Sequence, residues 1–394
     1  MKNNIHLIVS SFAIGLILVG CTPKTEKATG IDLSLMDTTV RPQDDFYNYV
    51  NGTWMKNAEI PDDKTRWGSF NELRENTDAD VLALLKEAAA KEQDETSDEG
   101  KAVLLFKLVN DTITRDADGI NPLKPFLNQI DQIASLEDVQ NYLIKTQPYG
   151  GGGIFGFYVS SDAKDSNKNA PHVYAGALGI ERDYYVKDDD DSKKVKAQYE
   201  THVARMFGFL GSDETESAAL AATVVAMETQ MAAARLDKVE RRDPAKRYNP
   251  TAMEGLQSLV SSVNWNAYFN GIGAKGLEEI IVTDLGYFTA LNGLLENNSL
   301  ADWKAYLKWT LVDQAASELT TEMETANWDF YSKTLRGAKA QRPLEKRALS
   351  RVNRNLGQPL GKLYVAEKFP PAAKEQMKEL FGNLIKAYTA RINN

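Results

Sequence analysis

One cysteine in 394 residues, Cys21, excludes any disulfide within the chain. Its position near the start leaves no other thiol to act as a nucleophile. Histidine is almost as scarce: His6, His172 and His202 are the three, and no two stand four apart. An HExxH zinc helix is therefore absent from these residues. GxSxG does not occur either, which removes the serine-hydrolase elbow. Basic residues are outnumbered, 46 Lys and Arg against 55 Asp and Glu for a net charge of −9, and nucleic-acid binding wants a basic face. No apolar run reaches the ~20 residues of a bilayer-spanning helix. A carboxylate pair for glycoside chemistry is not marked by anything in the sequence.

Residues 1–21 read as a targeting segment. Lys2 supplies the positive start, Ile5 to Val19 a short apolar run, and Leu18-Val19-Gly20-Cys21 fits a bacterial lipobox. Cys21 is the expected lipidation point, with residues 22–29 as a polar tether, so the expected location is the cell envelope, anchored to a bacterial membrane. The remaining chain is roughly 370 residues, enough for two domains.

Most of that chain reads helical: 81–91, 101–110, 136–146, 192–209, 216–239, 252–260, 300–311, 319–336 and a final long pair after Arg342-Pro343. Asn249 or Thr251 would cap the helix from Ala252. Met227, Met231 and Ala234 fall at helical spacing, as core positions do. Trp265, Tyr268 and Phe269 form an aromatic cluster. Ile154 to Ala175 alternates aromatic and β-branched residues around DAKDSNKN, the pattern of a hairpin, and Glu278 to Thr283 is a second strand candidate. Gly150 to Gly153 lacks the Lys-Ser/Thr of a phosphate loop. Asp188 to Asp191 lacks the spaced oxygens and glycine of a calcium loop.

The densest stretch is Arg41 to Arg74, RPQDDFYNYVNGTWMKNAEIPDDKTRWGSFNELR. Asn51-Gly52 suggests a turn, and Asp62, Asp63 and Thr65 are candidate caps for a following helix. A wheel at ~100° per residue counted from Arg66 gathers Phe70, Leu73, Thr77, Val81 and Leu84 on one stripe. Arg66 and Arg74 fall inside that stripe, and a buried arginine needs an anionic partner or a wet cavity.

This run resembles the opening of the neprilysin and endothelin-converting-enzyme family of zinc metallopeptidases. Three later segments resemble the family in the same order: Gly179-Ile180-Glu181-Arg182-Asp183-Tyr184-Tyr185, Arg241-Arg242-Asp243-Pro244 with Tyr248-Asn249, and VNRNLGQPLGKLYVAEKFPPAAKE from Val352. The resemblance implies a mainly α fold: a multi-helix cap lobe (81–343) with a small β-hairpin. Residues 30–80 would pack on a thermolysin-like catalytic lobe that this chain lacks, and helices at 344–394 would lead back to it. The chain ends within a helix pattern and reads as an amino-terminal half.

The resemblance further implies an oligopeptide substrate and a zinc-bound water deprotonated by the HExxH glutamate of the other half. Zinc would thus belong to the full-length enzyme and not to this chain. Arg66, Asn71 and Arg74 fall where the family places two arginines and an acid in the substrate cavity. Asn71 stands at the acid's position, which leaves open which group orients the arginines. Open alternatives are a non-catalytic peptide-binding lipoprotein and one half of a split peptidase.

Overall fold

Residues 31–151 and 153–393 are described by the structure, a computed structural model. They fall into two units that meet in sequence at Glu59 and Ile60. The lipobox, Cys21 and His6 lie outside the described residues.

In the first unit, Asp45 accepts from the Asn48 N–H and so caps helix α1 (Phe46–Asn57). The expected turn at Asn51-Gly52 is not there, because α1 runs straight through it. Gly52 is needed for another reason: a Cβ at that position would stand 2.6 Å from the Asp37 Cβ. Asp37 accepts from Lys56 at 2.6 Å and from Thr39, and these bonds, Lys56 first, hold its carboxyl down at about 2. Gly52→Ala is expected to cost about 1–3 kcal/mol by forcing that contact apart. Faster limited proteolysis within residues 31–59 would report it, whereas unchanged cleavage would show that Asp37 yields without cost.

The second unit begins with α2 (Ser69–Ala89), α3 (Asp98–Asn110), α4 (Thr112–Asp118), α5 (Lys124–Asp131) and α6 (Leu136–Thr146). The hairpin β1 (Phe155–Ser161) and β2 (Asn169–Ala175) then leads to α7 (Arg182–Val186), α8 (Asp190–Phe209) and α9 (Glu214–Ala233). Strand β3 (Asn249–Ala252), α10 (Met253–Leu259), α11 (Trp265–Gly271) and β4 (Glu279–Val282) follow. The chain closes with α12 (Leu285–Asn297), α13 (Leu300–Ala315), α14 (Thr321–Trp328), α15 (Leu344–Lys368) and α16 (Pro371–Ile392). The fold is mainly α with one small sheet, as expected.

That sheet has the order β1-β2-β4-β3, with β2 and β4 parallel and the other pairs antiparallel. The hairpin and β4 match the sequence pattern. Strand β3 does not: Asn249 was a candidate cap, yet it pairs with Val282 and its side chain donates to the Val282 carbonyl at 2.9 Å. A four-residue strand has too short a pattern to read and forms because β4 offers it an edge.

Two apolar cores hold this unit. The larger gathers Trp265, Tyr268, Phe269, Trp303, Trp309 and Met227 among α5 to α14 and the sheet. The smaller joins Leu85 and Ala88 of α2, Val103 and Phe106 of α3, and Leu349 and Val352 of α15. Helix α15 breaks at Leu356 (φ −133°, ψ 38°), three residues before Pro359, whose ring and missing N–H disrupt the preceding turn. No helix among the described residues is long and apolar enough to cross a membrane.

Large exposed apolar side chains concentrate at the two ends of the described chain. They include Phe46, Tyr47, Phe70 and Leu73 near the start, and Leu380, Phe381, Leu384, Ile385 and Tyr388 on α16. None of α16 is buried.

Candidate functional site

The start of α2 carries the arginines singled out by sequence, and their setting differs from the wheel. Arg66 precedes the helix, whose N-cap is Gly68 rather than Asp62, Asp63 or Thr65. Both Arg66 and Arg74 are exposed, and neither has an ion-pair partner among the described residues. Phe70 and Leu73 are also exposed, at 86% and 63%, so the wheel's stripe is not a buried face. The reason is coverage: α3 and α15 bury α2 only over its second half, at Leu85 and Ala88.

Arg66 and Asn71 line one cavity of about 320 Å³ with Trp328, Ser332 and Arg336. Arg74 lies instead on a groove of about 480 Å³ with Phe70, Leu73, Leu349 and Tyr364. The structure thus brings Arg66 and Asn71 together and leaves Arg74 on a separate surface.

Glu75, the acid next to Arg74, is committed elsewhere. It pairs with Lys64, with Lys346 at 2.6 Å and with Arg342 at 3.4 Å, and Arg342 also reaches Asp78 at 3.1 Å. Burial pushes its carboxyl up, but hydrogen bonds from Lys346 and Lys64 outweigh that and hold it near 2. This cluster clamps the first turns of α2 to the chain before α15, fixing where Arg66 and Arg74 project.

The Gly179 to Tyr185 motif resolves into a buried polar knot that sequence reasoning did not find. Glu228 of α9 accepts from the Tyr185 hydroxyl at 2.6 Å, the Tyr199 hydroxyl at 2.7 Å and the Gly179 N–H at 3.1 Å. A Cβ on Gly179 would stand 1.8 Å from the Tyr199 oxygen, so only glycine fits. Burial pushes the Glu228 carboxyl up, against the pull of its three donors. A glutamate inside the apolar face of α9, with Met227 and Met231 beside it, was the available signal.

Helix α9 also ends sooner than the pattern to Val239 implied. Asp284 accepts from the Leu236 N–H at 3.0 Å, and Arg235 swings over the Tyr287 ring at 4.9 Å. These long-range contacts take over the backbone where helix propensity would continue it. The same holds for 319–336, where α14 gives way to a π-helical turn at Asp329–Thr334.

The two described histidines serve packing. The His172 ring stacks on Tyr158 at 4.6 Å, and its Nδ1 lies 2.9 Å from the Ala170 carbonyl. His202 stacks on Phe330 at 4.9 Å, and burial pulls it down to about 4, so it is neutral at pH 7. Among the described residues no group of three His, Cys, Asp or Glu is placed to hold a metal ion. These residues do not fit a zinc site.

The second unit is thus a helical domain with two cores, a small mixed sheet and arginines at and before the start of α2. Residues 42–394 match the amino-terminal model of Peptidase family M13, and the chain belongs to that family. Endothelin-converting enzyme 1 of Homo sapiens is 27% identical over 373 residues, covering 90% of this chain and 47% of that protein. Neprilysin-3 of Drosophila melanogaster is 24% identical, over 92% of this chain and 48% of its own length. The zinc metalloprotease ZMP1 of Mycobacterium tuberculosis, solved with an inhibitor, superposes with a TM-score of 0.85 at 32% identity. That match covers 93% of this chain and 55% of the other. The chain spans about half the length of the curated relatives it matches.

Proposed function

We propose that this chain is the peptide-enclosing helical part of a zinc metalloendopeptidase that cleaves oligopeptides. The observation that carries the reading is the match over residues 42–394, together with the likeness to a zinc metalloprotease. Arg66 and Arg74 support it locally: two exposed guanidinium groups without internal anions flank the exposed Phe70 and Leu73. A guanidinium fork suits a peptide carbonyl or terminal carboxylate, and the aromatic ring offers a side-chain contact. Asn71 contributes an amide beside Arg66. Hydrolysis itself is not assigned to these residues, because no group of three zinc donors comes together among the described residues. Metal and water activation would come from the remainder of a longer protein, whose lobe the apolar faces of α16 and the first half of α2 would meet. Cys21 would tether the whole to a bacterial membrane. A peptide-binding lipoprotein without hydrolysis is the second reading.

Intact mass and metal content of the material from its native envelope separate the two. A species well above 43.8 kDa with one zinc and chelator-sensitive peptide cleavage is expected. A metal-free lipoprotein of the chain's own mass that binds peptides would favour the second reading. In the zinc-bearing protein, Arg66→Ala and Arg74→Ala are each expected to raise KM roughly tenfold with little change in kcat, as loss of uniform binding does.

A further inference from the structure

A second cation-rich site adjoins the Arg66 cavity, with which it shares Arg336. Two cavities, of about 860 and 620 Å³, share a wall that includes Tyr174, Glu181, Tyr184, Arg235 and Arg241. Each falls in the size range of small-ligand sites. In a chain of net charge −9, the smaller cavity is lined by Arg182, Arg235, Arg241 and Arg336 against one carboxylate, Glu181.

Internal pairing does not neutralise this excess. Glu181 reaches Arg241 at 3.5 Å, with both side chains largely exposed. Asp183 stands 3.7 Å from Arg182 but also serves Lys187 at 2.9 Å and Lys238 at 3.6 Å. Arg336 has no ion pair among the described residues. Arg182 is held in place by donating to the Arg235 carbonyl at 3.0 Å. Arg235 is fixed over Tyr287, and its Nε and Nη2 are buried without any acceptor. Arg235 thus brings a fixed positive charge to the cavity wall.

We propose that this cavity binds an acidic peptide segment, its carboxylates taken by Arg235, Arg241 and Arg336. Leu178, Leu236 and Leu335 give the same cavity apolar walls that a peptide's side chains would cover. The larger cavity adds Lys187, Lys238, Arg242 and Arg247 but also Asp183, Asp189, Asp191 and Asp284. A uniform polyanion would be repelled there, whereas a peptide with acids at one end matches both halves. The proposal shares with the preceding reading only the premise that the ligand is a peptide.

Fluorescence anisotropy on the full chain tests it, using a labelled octapeptide with three glutamates at one end and its glutamine twin. The acidic peptide is expected to bind at least roughly tenfold tighter. Arg241→Gln combined with Arg336→Gln, both on exposed arms, should erase that preference while melting stays unchanged. Equal binding of the two peptides, a folded double variant that keeps the preference, or displacement by inorganic phosphate as readily as by the acidic peptide would each overturn the proposal. Because the readout is binding to this chain, a negative result leaves the peptidase reading standing. Failure to find cleavage leaves this site standing.

Discussion

Glu324→Ala should lower the melting temperature by roughly 5–10 °C, the equivalent of about 3–5 kcal/mol for stripping the anion from a buried ion cluster. Glu324 of α14 faces Arg115 of α4 at 2.9 Å and Arg347 of α15 at 2.9 Å, with Arg351 at 3.9 Å. Its side chain is 6% exposed, so water replaces little of what the substitution removes. Arg351 keeps Glu318 at 2.8 Å, but Arg115 loses its ion-pair partner, and its Nε and Nη1 are already buried without acceptors. Because this one carboxylate ties the smaller core, through α15, to α4 and α14, the loss should be uneven. Amide exchange in α2, α3 and α15 is expected to quicken before that of α8 or α13. A melting shift under 2 °C would show that the arginines find other anions. Glu324→Gln should fall between, keeping an acceptor while losing the charge.

The second large effect is expected at Glu228. Replacing it with Ala leaves two tyrosine hydroxyls and the Gly179 N–H without their acceptor in the larger core, at roughly 3–5 kcal/mol. Tyr199→Phe, which removes one donor and leaves the carboxylate two others, should cost only about 1 kcal/mol, whereas Tyr185→Phe should cost more because the Ile180 N–H also loses its acceptor. The pH dependence follows from the direction of the shift. Burial raises the folded-state value of Glu228, so the folded chain holds a proton that the unfolded chain releases. Stability from this group is full below the ordinary glutamate range and is lost as pH rises through the folded value. Asp313 acts in the same sense, pushed by burial from the ordinary 3.8 to about 7 while accepting from Asn327 at 3.0 Å. Over about pH 4 to 7 Asp313 lowers the denaturant midpoint while His202, pulled down to about 4, raises it, so the unmutated midpoint should stay nearly flat and that of Asp313→Asn should rise with pH. A midpoint that rises steadily over this window in both proteins would refute the assignment.

How far each feature could be read in advance depended on the range of the forces that make it. Asp45 and Asp189 cap their helices through side chains three residues from the N–H groups they meet, whereas the caps expected from sequence, Asp62, Asp63, Thr65, Asn249 and Thr251, cap neither α2 nor α10. The alternation of Phe155 to Val159 wrote the hairpin into one short segment, and the aromatic spacing of Trp265, Tyr268 and Phe269 marked a core. Gly52 misled because glycine serves a turn and a close helix contact equally well, and only the approach of Asp37 distinguishes them. The α2 stripe misled because periodicity says which residues share a face, not whether anything covers it.

The candidate sites divide along the same line. Arg66, Asn71 and Arg74 could be named from the order of residues around Gly68, and so could the family. That Arg66 and Asn71 share a cavity while Arg74 faces another depended on where α15 and the chain before it pack. Glu228 and Arg235 sit seven residues apart on what looked like one continuous helix. Their separate fates, one knotted with Tyr185 and Tyr199 and the other turned over Tyr287, were set by partners 29 to 52 positions away. The sequence alone determined helical character, the hairpin and kinship, since each rests on neighbours within a few residues. Tertiary structure decided the ends of α9 and α14, the pairing of β3 and the cation-lined cavity, because each needs a partner that only the folded chain brings within reach.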